Sequence, residues 1–267
     1  MSGEAAKQTD VRGAGAVDAT GADLSTVLGK AVAVLRAFRV EDRVLPLAEL
    51  VRRTGLSKPT VHRIAGDLVT YRLLDKDQRG YRLSGGLFEL GMRASAERTL
   101  LEVAMPFLQD LYERTRETVH LGVLEGAEVV YIAKIGGHRQ ARSPSRTGGR
   151  MPLHCTAIGK VLLAHADPEL QQEVLAGPLK PWTPHTIVAS GLLRRRLATI
   201  LEAGVAFERE ESTLGLLCVS APVLDTGTGE AVAAISVTGP VGRFRPEAHV
   251  AAVRAAAAGI AGVLARR

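Results

Sequence analysis

Ser57, Lys58, Thr60, His62 and Arg63 fall within seven residues of one another. An Arg guanidinium can fork onto O6 and N7 of guanine, and Lys or Thr near a helix N-terminus reaches base edges or phosphates. Ser57 at such a terminus also offers its amide to a phosphate. Lys76, Arg79 and Arg82 follow closely and suit phosphate or the minor groove, adding affinity and salt dependence but little sequence reading. A second set lies in apolar sequence. Ser236 and Thr238 alternate with Ile235 and Val237, so on a strand their hydroxyls share a face, as Cys218 and Ser220 do. Thr156, Ala157 and Ile158 open a helical stretch whose free amides attract a carboxylate, while Met151, Leu153 and Leu216 supply apolar walls. This second set suits the holding of a small anion.

Catalytic readings of the same residues fare worse. Gly159-Lys160 lacks the preceding Gly spacing of a phosphate loop, and Val161 replaces the Ser or Thr that should follow. A thiol nucleophile built from Cys155 or Cys218 with His120 or His154 is disfavoured, because His154 and Cys155 are adjacent and Cys218 sits in an apolar run. His120, His138, His154 and Cys155 lack the short paired spacing of zinc ligands. No cofactor or metal is expected.

The elements that must position the basic set are readable. Leu47, Leu50 and Val51 put an apolar stripe on a first helix, Thr54-Gly55-Leu56 supplies a tight turn, and Ser57 is a natural N-cap with Pro59 in the first turn of a second helix. Val61, Ile64, Ala65, Leu68 and Val69 then define a buried face, leaving Lys58, Thr60, His62, Arg63 and Asp67 on the other. Residues 73–75 and 81–83 flank a basic tip as a hairpin, with Tyr81 and Leu83 inward and Arg82 outward. Leu28, Ala31, Val32, Leu35 and Phe38 form an amphipathic helix upstream. The order is that of a winged helix-turn-helix, over residues 24–86.

Charge agrees with this placement. The chain of 267 residues carries a net charge of +6, yet residues 24–86 hold 12 Lys/Arg against 6 Asp/Glu, and the remainder holds 22 of each. The excess positive charge therefore sits on the stretch read as a DNA reader. Residues 1–23 are Gly/Ala-rich and acidic without an apolar core, and read as a disordered tail. Two cysteines fit a reducing compartment, and no stretch near 18 residues is both apolar and free of charge. A cytoplasmic protein with no membrane partner is expected.

Downstream, residues 87–98 read as a linker helix and 99–267 as a second domain. Thr99 and Glu102 have capping-box spacing for a helix over 100–116, with Leu101, Met105, Leu108, Leu111 and Tyr112 as its stripe and a kink or restart at Pro106. Strands are expected over 119–124 and 128–135, and a mobile or interface loop over 136–150 with His138, Arg139, Arg142, Arg146 and Arg150. Helices follow over 156–166, 168–175 and 190–203, the last capped by Ser190 and stopped by Gly204. Strands over 216–223 and 231–238 precede an Ala-rich helix begun by Pro246. Strands and helices interleave without a βαβ rhythm, which predicts an antiparallel α+β domain.

Four segments in order resemble the IclR-type bacterial transcriptional regulators: LAELVRRTGLSKPTVHR at 47–63, GRMPLHCTAIGK at 149–160, Glu211 followed by GLLCVSAP at 215–222, and AISVTGP at 234–240. The resemblance covers nearly everything after the tail. It implies a winged helix-turn-helix, a linker helix and a C-terminal effector domain of GAF/PAS-like shape, assembled as homodimers or dimers of dimers. It implies a small organic acid or aromatic catabolite as effector, held by the segments matching 151–158, Glu208, 216–218 and 236–238. The expected function is a ligand-responsive repressor or activator that docks recognition helices on a palindromic duplex DNA operator. A metal-sensing regulator or a small-molecule hydrolase carrying a DNA-binding domain is the competing reading.

Overall fold

The computed structural model describes residues 23–136 and 143–266. The tail expected over 1–23 lies outside these except for Asp23, and so do His138, Arg139 and Arg142 of the expected loop. The chain forms two compact units that divide between Ala94 and Ser95.

In the first unit, α1 (Val27–Arg36), α2 (Leu47–Thr54) and α3 (Lys58–Thr70) surround a core of Val34, Leu50, Val61, Ile64, Ala65 and Leu68. The β1 (Leu74–Lys76) and β2 (Tyr81–Leu83) hairpin closes it with Leu74 and Tyr81, and Leu45 bridges to Tyr81. Gly55 ends α2 at φ 68°, and its amide reaches the Val51 carbonyl at 2.9 Å. Gly80 has φ 147°, and a Cβ there would stand 2.2 Å from the Leu45 carbonyl oxygen, so the wing packs only around glycine. Arg53 ties the loop after α1 to α2, bonding Asp42, Glu49 (Nε to Oε1, 2.6 Å) and the Ala37 carbonyl (2.9 Å).

Three local expectations change. Ser57 occupies the N-cap position of α3, but its hydroxyl pairs with Thr60 Oγ1 at 2.8 Å instead of accepting a backbone amide. Leu83 is 46% exposed, because the three-residue strand runs past the edge of the small core at Tyr81. The linker region is not one helix over 87–98: α4 runs Gly85–Gly91, capped by Ser84 (Gly86 amide to Oγ, 3.0 Å), and a new helix starts at Ser95.

The second unit is a six-stranded antiparallel sheet in the order β5-β4-β3-β8-β7-β6. Its strands are β3 (Thr118–Glu125), β4 (Glu128–Ile135), β5 (Arg150–Pro152), β6 (Ala206–Arg209), β7 (Leu216–Leu224) and β8 (Ala231–Pro240). One face packs on α5 (Ser95–Thr115) and α9 (Val250–Leu264) through Val119, Leu121, Val219, Ile235 and Val237. The other faces α6 (Ala157–Ala164), against which α8 (Ser190–Ala203) and α7 (Pro168–Ala176) pack. Two-residue periodicity therefore sends Val119, Ile235 and Val237 to the apolar layer and His120, Ser236 and Thr238 toward α6. The α+β class and its antiparallel sheet are as expected.

Here too the boundaries shift. α5 begins at Ser95, so Thr99 is interior and caps nothing, and the helix continues through Pro106, whose ring faces solvent. Its buried stripe is Leu100, Val103, Ala104, Leu108 and Leu111, while Leu101, Met105 and Tyr112 are only half-buried. Ala189, not Ser190, holds the N-cap position of α8. The short strands β5 and β6 have no counterpart in the sequence pattern. Among the described residues one stretch, Pro246–Leu264, is long and apolar enough to cross a membrane; in this fold its Val253, Ala257 and Ile260 fill the core against α5.

Candidate functional site

Two surfaces carry the candidate residues, one in each unit. On α3, Ser57, Lys58, His62 and Arg63 are exposed and Thr60 is half-buried against Ser57. Arg63 Nη1 lies 3.5 Å from Asp67 Oδ2 with both side chains more than half exposed. On the wing, Arg82 Nη2 is 2.9 Å from Asp75, Arg79 Nη2 is 3.7 Å from Asp77, and Lys76 Nζ stands 5.5 Å from the Tyr81 ring centre. Asp77 also turns the tip, accepting the Arg79 and Gly80 amides at 2.7 and 3.0 Å, which hold its carboxyl below the ordinary range. Exposed ion pairs of this kind are worth little in water, so these cations remain available to phosphate.

The second surface is a small cavity between α6 and the sheet. Met151, Thr156, Ala157, Ile158, Glu208, Leu216, Cys218, Ser236 and Thr238 line it, nine of the ten residues expected. Leu153 does not. It is 1% exposed and packs with Val161 and Leu162, because the chain turns at 153–156 and carries it into the second core. His120, Tyr131, Ser143, Pro144, Ser145 and Ser212 are the other described lining residues, and the sequence pattern does not single them out for this site.

Register explains the polar wall. Cys218 stands opposite Thr238 and Ser220 opposite Ser236, so four polar side chains meet on one face. Thr238 Oγ1 donates to Cys218 Sγ at 3.1 Å. His120, paired with Ser236 across β3 and β8, lies 3.5 Å from its hydroxyl through Nδ1 and 2.8 Å from Ser145 Oγ through Nε2. Burial, with the nearby Lys134 charge, pushes the His120 pKa down to about 3, so the ring is neutral. Burial pushes the Cys155 and Cys218 thiols up to about 12, which disfavours the thiolate a nucleophile needs. Thr156 caps α6, accepting the Gly159 amide at 3.0 Å, and the Ala157 and Ile158 amides open that helix's first turn.

Behind the wall lies an ion pair that the sequence did not advertise. Lys160 is fully buried on α6 and places Nζ 2.5 Å from Glu211 Oε1. The Glu211 amide donates to Glu208 Oε1 (2.7 Å), as do the Ser212 amide (3.0 Å) and hydroxyl (3.3 Å). Burial nevertheless pushes the Glu208 carboxyl up to about 7. Between its ordinary value of 4.5 and 7 the folded chain keeps a proton that the unfolded chain has released, so stability falls as pH rises through that window. Glu208→Gln retains an acceptor oxygen without the charge. Its unfolding free energy should fall less than the parent's as pH rises from 5 to 7, the slopes differing by at most about 1.4 kcal/mol per pH unit; identical slopes would show that Glu208 stays ionised.

A larger cleft of about 530 Å³ lies at the far end of the same unit, among Leu100, Val123, Leu124 and Leu264, with Glu97, Glu125 and Asp225 at its rim. Those carboxylates are exposed, and no buried polar group is among its described lining residues. Convergent polar groups, not size, mark the α6 cavity as the candidate site. For metals, no group of three or more His, Cys, Asp and Glu able to hold an ion occurs among the described residues, and His154 Nε2 is occupied by the Lys180 carbonyl at 3.0 Å.

Family models match both parts of the chain: the IclR helix-turn-helix domain over residues 18–78 and the bacterial transcriptional regulator IclR C-terminal domain over 92–261. The chain is 36% identical over 234 residues to the HTH-type transcriptional regulator KdgR of Escherichia coli, covering 85% of this chain and 89% of that one. It is 33% identical to the HTH-type transcriptional regulator BhcR of Paracoccus denitrificans, covering 87% and 82%. An IclR homolog from Microbacterium hydrocarbonoxydans, solved in complex with 4-hydroxybenzoate, superposes with a TM-score of 0.85 at 32% identity, covering 91% of this chain and all of the other. A basic helix-turn-helix unit joined to a sheet domain with an enclosed polar cavity, and these matches over most of its length, place the chain in the IclR family of ligand-responsive, DNA-binding bacterial transcriptional regulators.

Proposed function

We propose that this regulator senses a small carboxylate, of the aromatic-acid class, in the cavity between α6 and the sheet, and answers by changing its affinity for a palindromic operator. One observation carries the ligand class: the first turn of α6, with Ala157 and Ile158, lines the cavity together with the hydroxyls of Ser236, Thr238 and Tyr131, neutral donors to a carboxylate that Glu208 repels least when protonated. The likeness to the 4-hydroxybenzoate complex supports an aromatic acid. The free space is about 20 Å³, room for one water, whereas a benzene-sized guest needs roughly 150 Å³. The lining must therefore open for a ring to enter, and a ligand that binds only the opened form shifts the population toward it. That differential affinity is what links the effector to DNA.

DNA contact is assigned to Ser57, Lys58, Thr60, His62 and Arg63 in the major groove and to Lys76, Arg79 and Arg82 on the backbone or minor groove. Homo-oligomerisation is supported by apolar side chains left exposed on the first unit: Val27 and Leu28 on α1, Phe88 and Leu90 on α4, and Met92 just beyond it. A dimer presents two α3 helices, hence the palindrome, and the regulator works in the bacterial cytoplasm where the chromosome lies.

Ser236→Ala tests the site. Ser236 is 1% exposed with its hydroxyl beside His120, and removing that hydroxyl should weaken binding of 4-hydroxybenzoate by about ten-fold, with operator affinity in the absence of effector unchanged. Titration calorimetry showing equal affinity for both proteins would remove Ser236 from the site.

A further inference from the structure

The outward face of α3 holds two residues that the basic set does not account for. Gly66 is the ninth of its 13 residues, well inside the helix. A glycine there lowers the helix equilibrium about five-fold relative to alanine. Nothing among the described residues calls for it: the backbone is not in the left-handed region, and a Cβ at Gly66 would meet no described atom within 4 Å. What the missing Cβ permits is therefore a close approach from outside the chain. At helical spacing Gly66 lies beside His62, Arg63 and Thr70, in the middle of the exposed stripe.

The second residue is Asp67, an exposed carboxylate on a face otherwise supplied with cations. An ionised carboxylate only accepts hydrogen bonds and is repelled by phosphate. In the major groove it pairs with the cytosine N4 amino group. Its side chain is short, so it reaches a base edge only where the helix backbone comes close. Gly66, its neighbour, provides that closeness. The Arg63 guanidinium, 3.5 Å from Asp67 and equally exposed, is placed to read the base pair alongside.

Resting on the assignment of α3 as the recognition helix, we propose that Gly66 and Asp67 form a second base-reading step. The missing Cβ lets α3 sit deeper in the major groove, and Asp67 accepts a hydrogen bond from a cytosine amino group next to the guanine read by Arg63. The step adds specificity that positive charge alone cannot give, since it penalises any base without an amino group at that position.

The test uses the full-length protein and a duplex selected by it from a randomised library. With the parent protein, replacing one cytosine by thymine in each half-site should weaken binding about thirty-fold or more. Asp67→Ala should abolish that discrimination while the guanine preference stays. Gly66→Ala should raise the melting temperature by a few degrees, yet bind the selected duplex at least ten-fold more weakly, with unselected DNA bound as before. Unchanged affinity in Gly66→Ala would overturn the close approach. Unchanged base preferences in Asp67→Ala would overturn the reading role, and so would loss of the guanine preference, which would make Asp67 a positioning residue for Arg63. If the parent protein selects no sequence, it is the assignment of α3 itself that fails, a result distinct from the other three.

Discussion

Arg63→Ala protein should lose most of its preference for operator DNA over a scrambled duplex, keeping only what the other α3 residues read, while folding and binding 4-hydroxybenzoate like the parent. The Arg63 side chain is about 60% exposed on α3, and its ion pair with Asp67 is open to water, so the fold loses little when it is removed. What is lost is a bidentate contact to guanine, worth roughly 1–3 kcal/mol for each half-site. Two half-sites in a dimer bring the fall in specificity ratio to about thirty-fold or more. Non-specific affinity should change little, since Lys76, Arg79 and Arg82, the residues assigned to the backbone, remain, and the salt dependence should stay steep. Fluorescence anisotropy on matched and scrambled duplexes across a salt series reads both quantities. A variant as selective as the parent would remove Arg63 from base recognition.

Lys160→Met should be the most damaging single substitution in the second unit. Lys160 is fully buried and its ammonium meets Glu211 at 2.5 Å. The other Glu211 oxygen is already buried with no hydrogen-bond partner among the described residues, so loss of the lysine strands an uncompensated carboxylate. Breaking such a pair costs about 3–5 kcal/mol, whereas replacing both partners by apolar groups of similar size is often neutral. In a unit of this size the single variant should melt roughly 10 °C lower. Lys160→Met combined with Glu211→Leu should recover most of that loss. Effector binding should also weaken in the single variant, because the Glu211 amide holds Glu208 in the cavity wall. Thermal denaturation of the two single variants and the double variant gives the coupling energy; equal melting temperatures for Lys160→Met and the parent would show that the pair contributes nothing.

What could be read from the sequence follows from how local each feature is. The winged helix-turn-helix was legible because its elements, from α1 at Val27 to β2 ending at Leu83, succeed one another in sequence and each is set by short-range spacing. The polar face of the cavity was half legible. Alternation fixed which way Ser236 and Thr238 point relative to Ile235 and Val237, and the register of β7 on β8 then set them opposite Ser220 and Cys218. His120 escaped because its place beside Ser236 depends on the pairing of β3 with β8, strands more than a hundred residues apart in sequence. Tyr131 and Ser145 escaped for the same reason, being brought in by tertiary packing.

The errors were also physical. Leu153 has the right chemistry for an apolar wall, but the turn before α6 sends it into the core under Val161. Pro106 removes one backbone donor from α5, yet the helix runs on from Ser95 to Thr115 without the restart, because the buried stripe of Leu100, Val103, Ala104, Leu108 and Leu111 outweighs the lost hydrogen bond. Lys160 drew notice only as part of a failed phosphate loop, since a lysine with no exposed surface is the exception that no spacing rule anticipates.

The central claim is that this chain is a DNA-binding regulator answering to a carboxylate. It is tested most directly by measuring the affinity of the purified protein for DNA flanking its own gene, against a scrambled duplex, with and without a panel of aromatic and aliphatic carboxylates including 4-hydroxybenzoate. The expected result is tight, selective binding whose logarithm falls linearly with the logarithm of salt concentration and which at least one carboxylate weakens or strengthens. Weak binding indifferent to sequence, with every carboxylate in the panel, would contradict it.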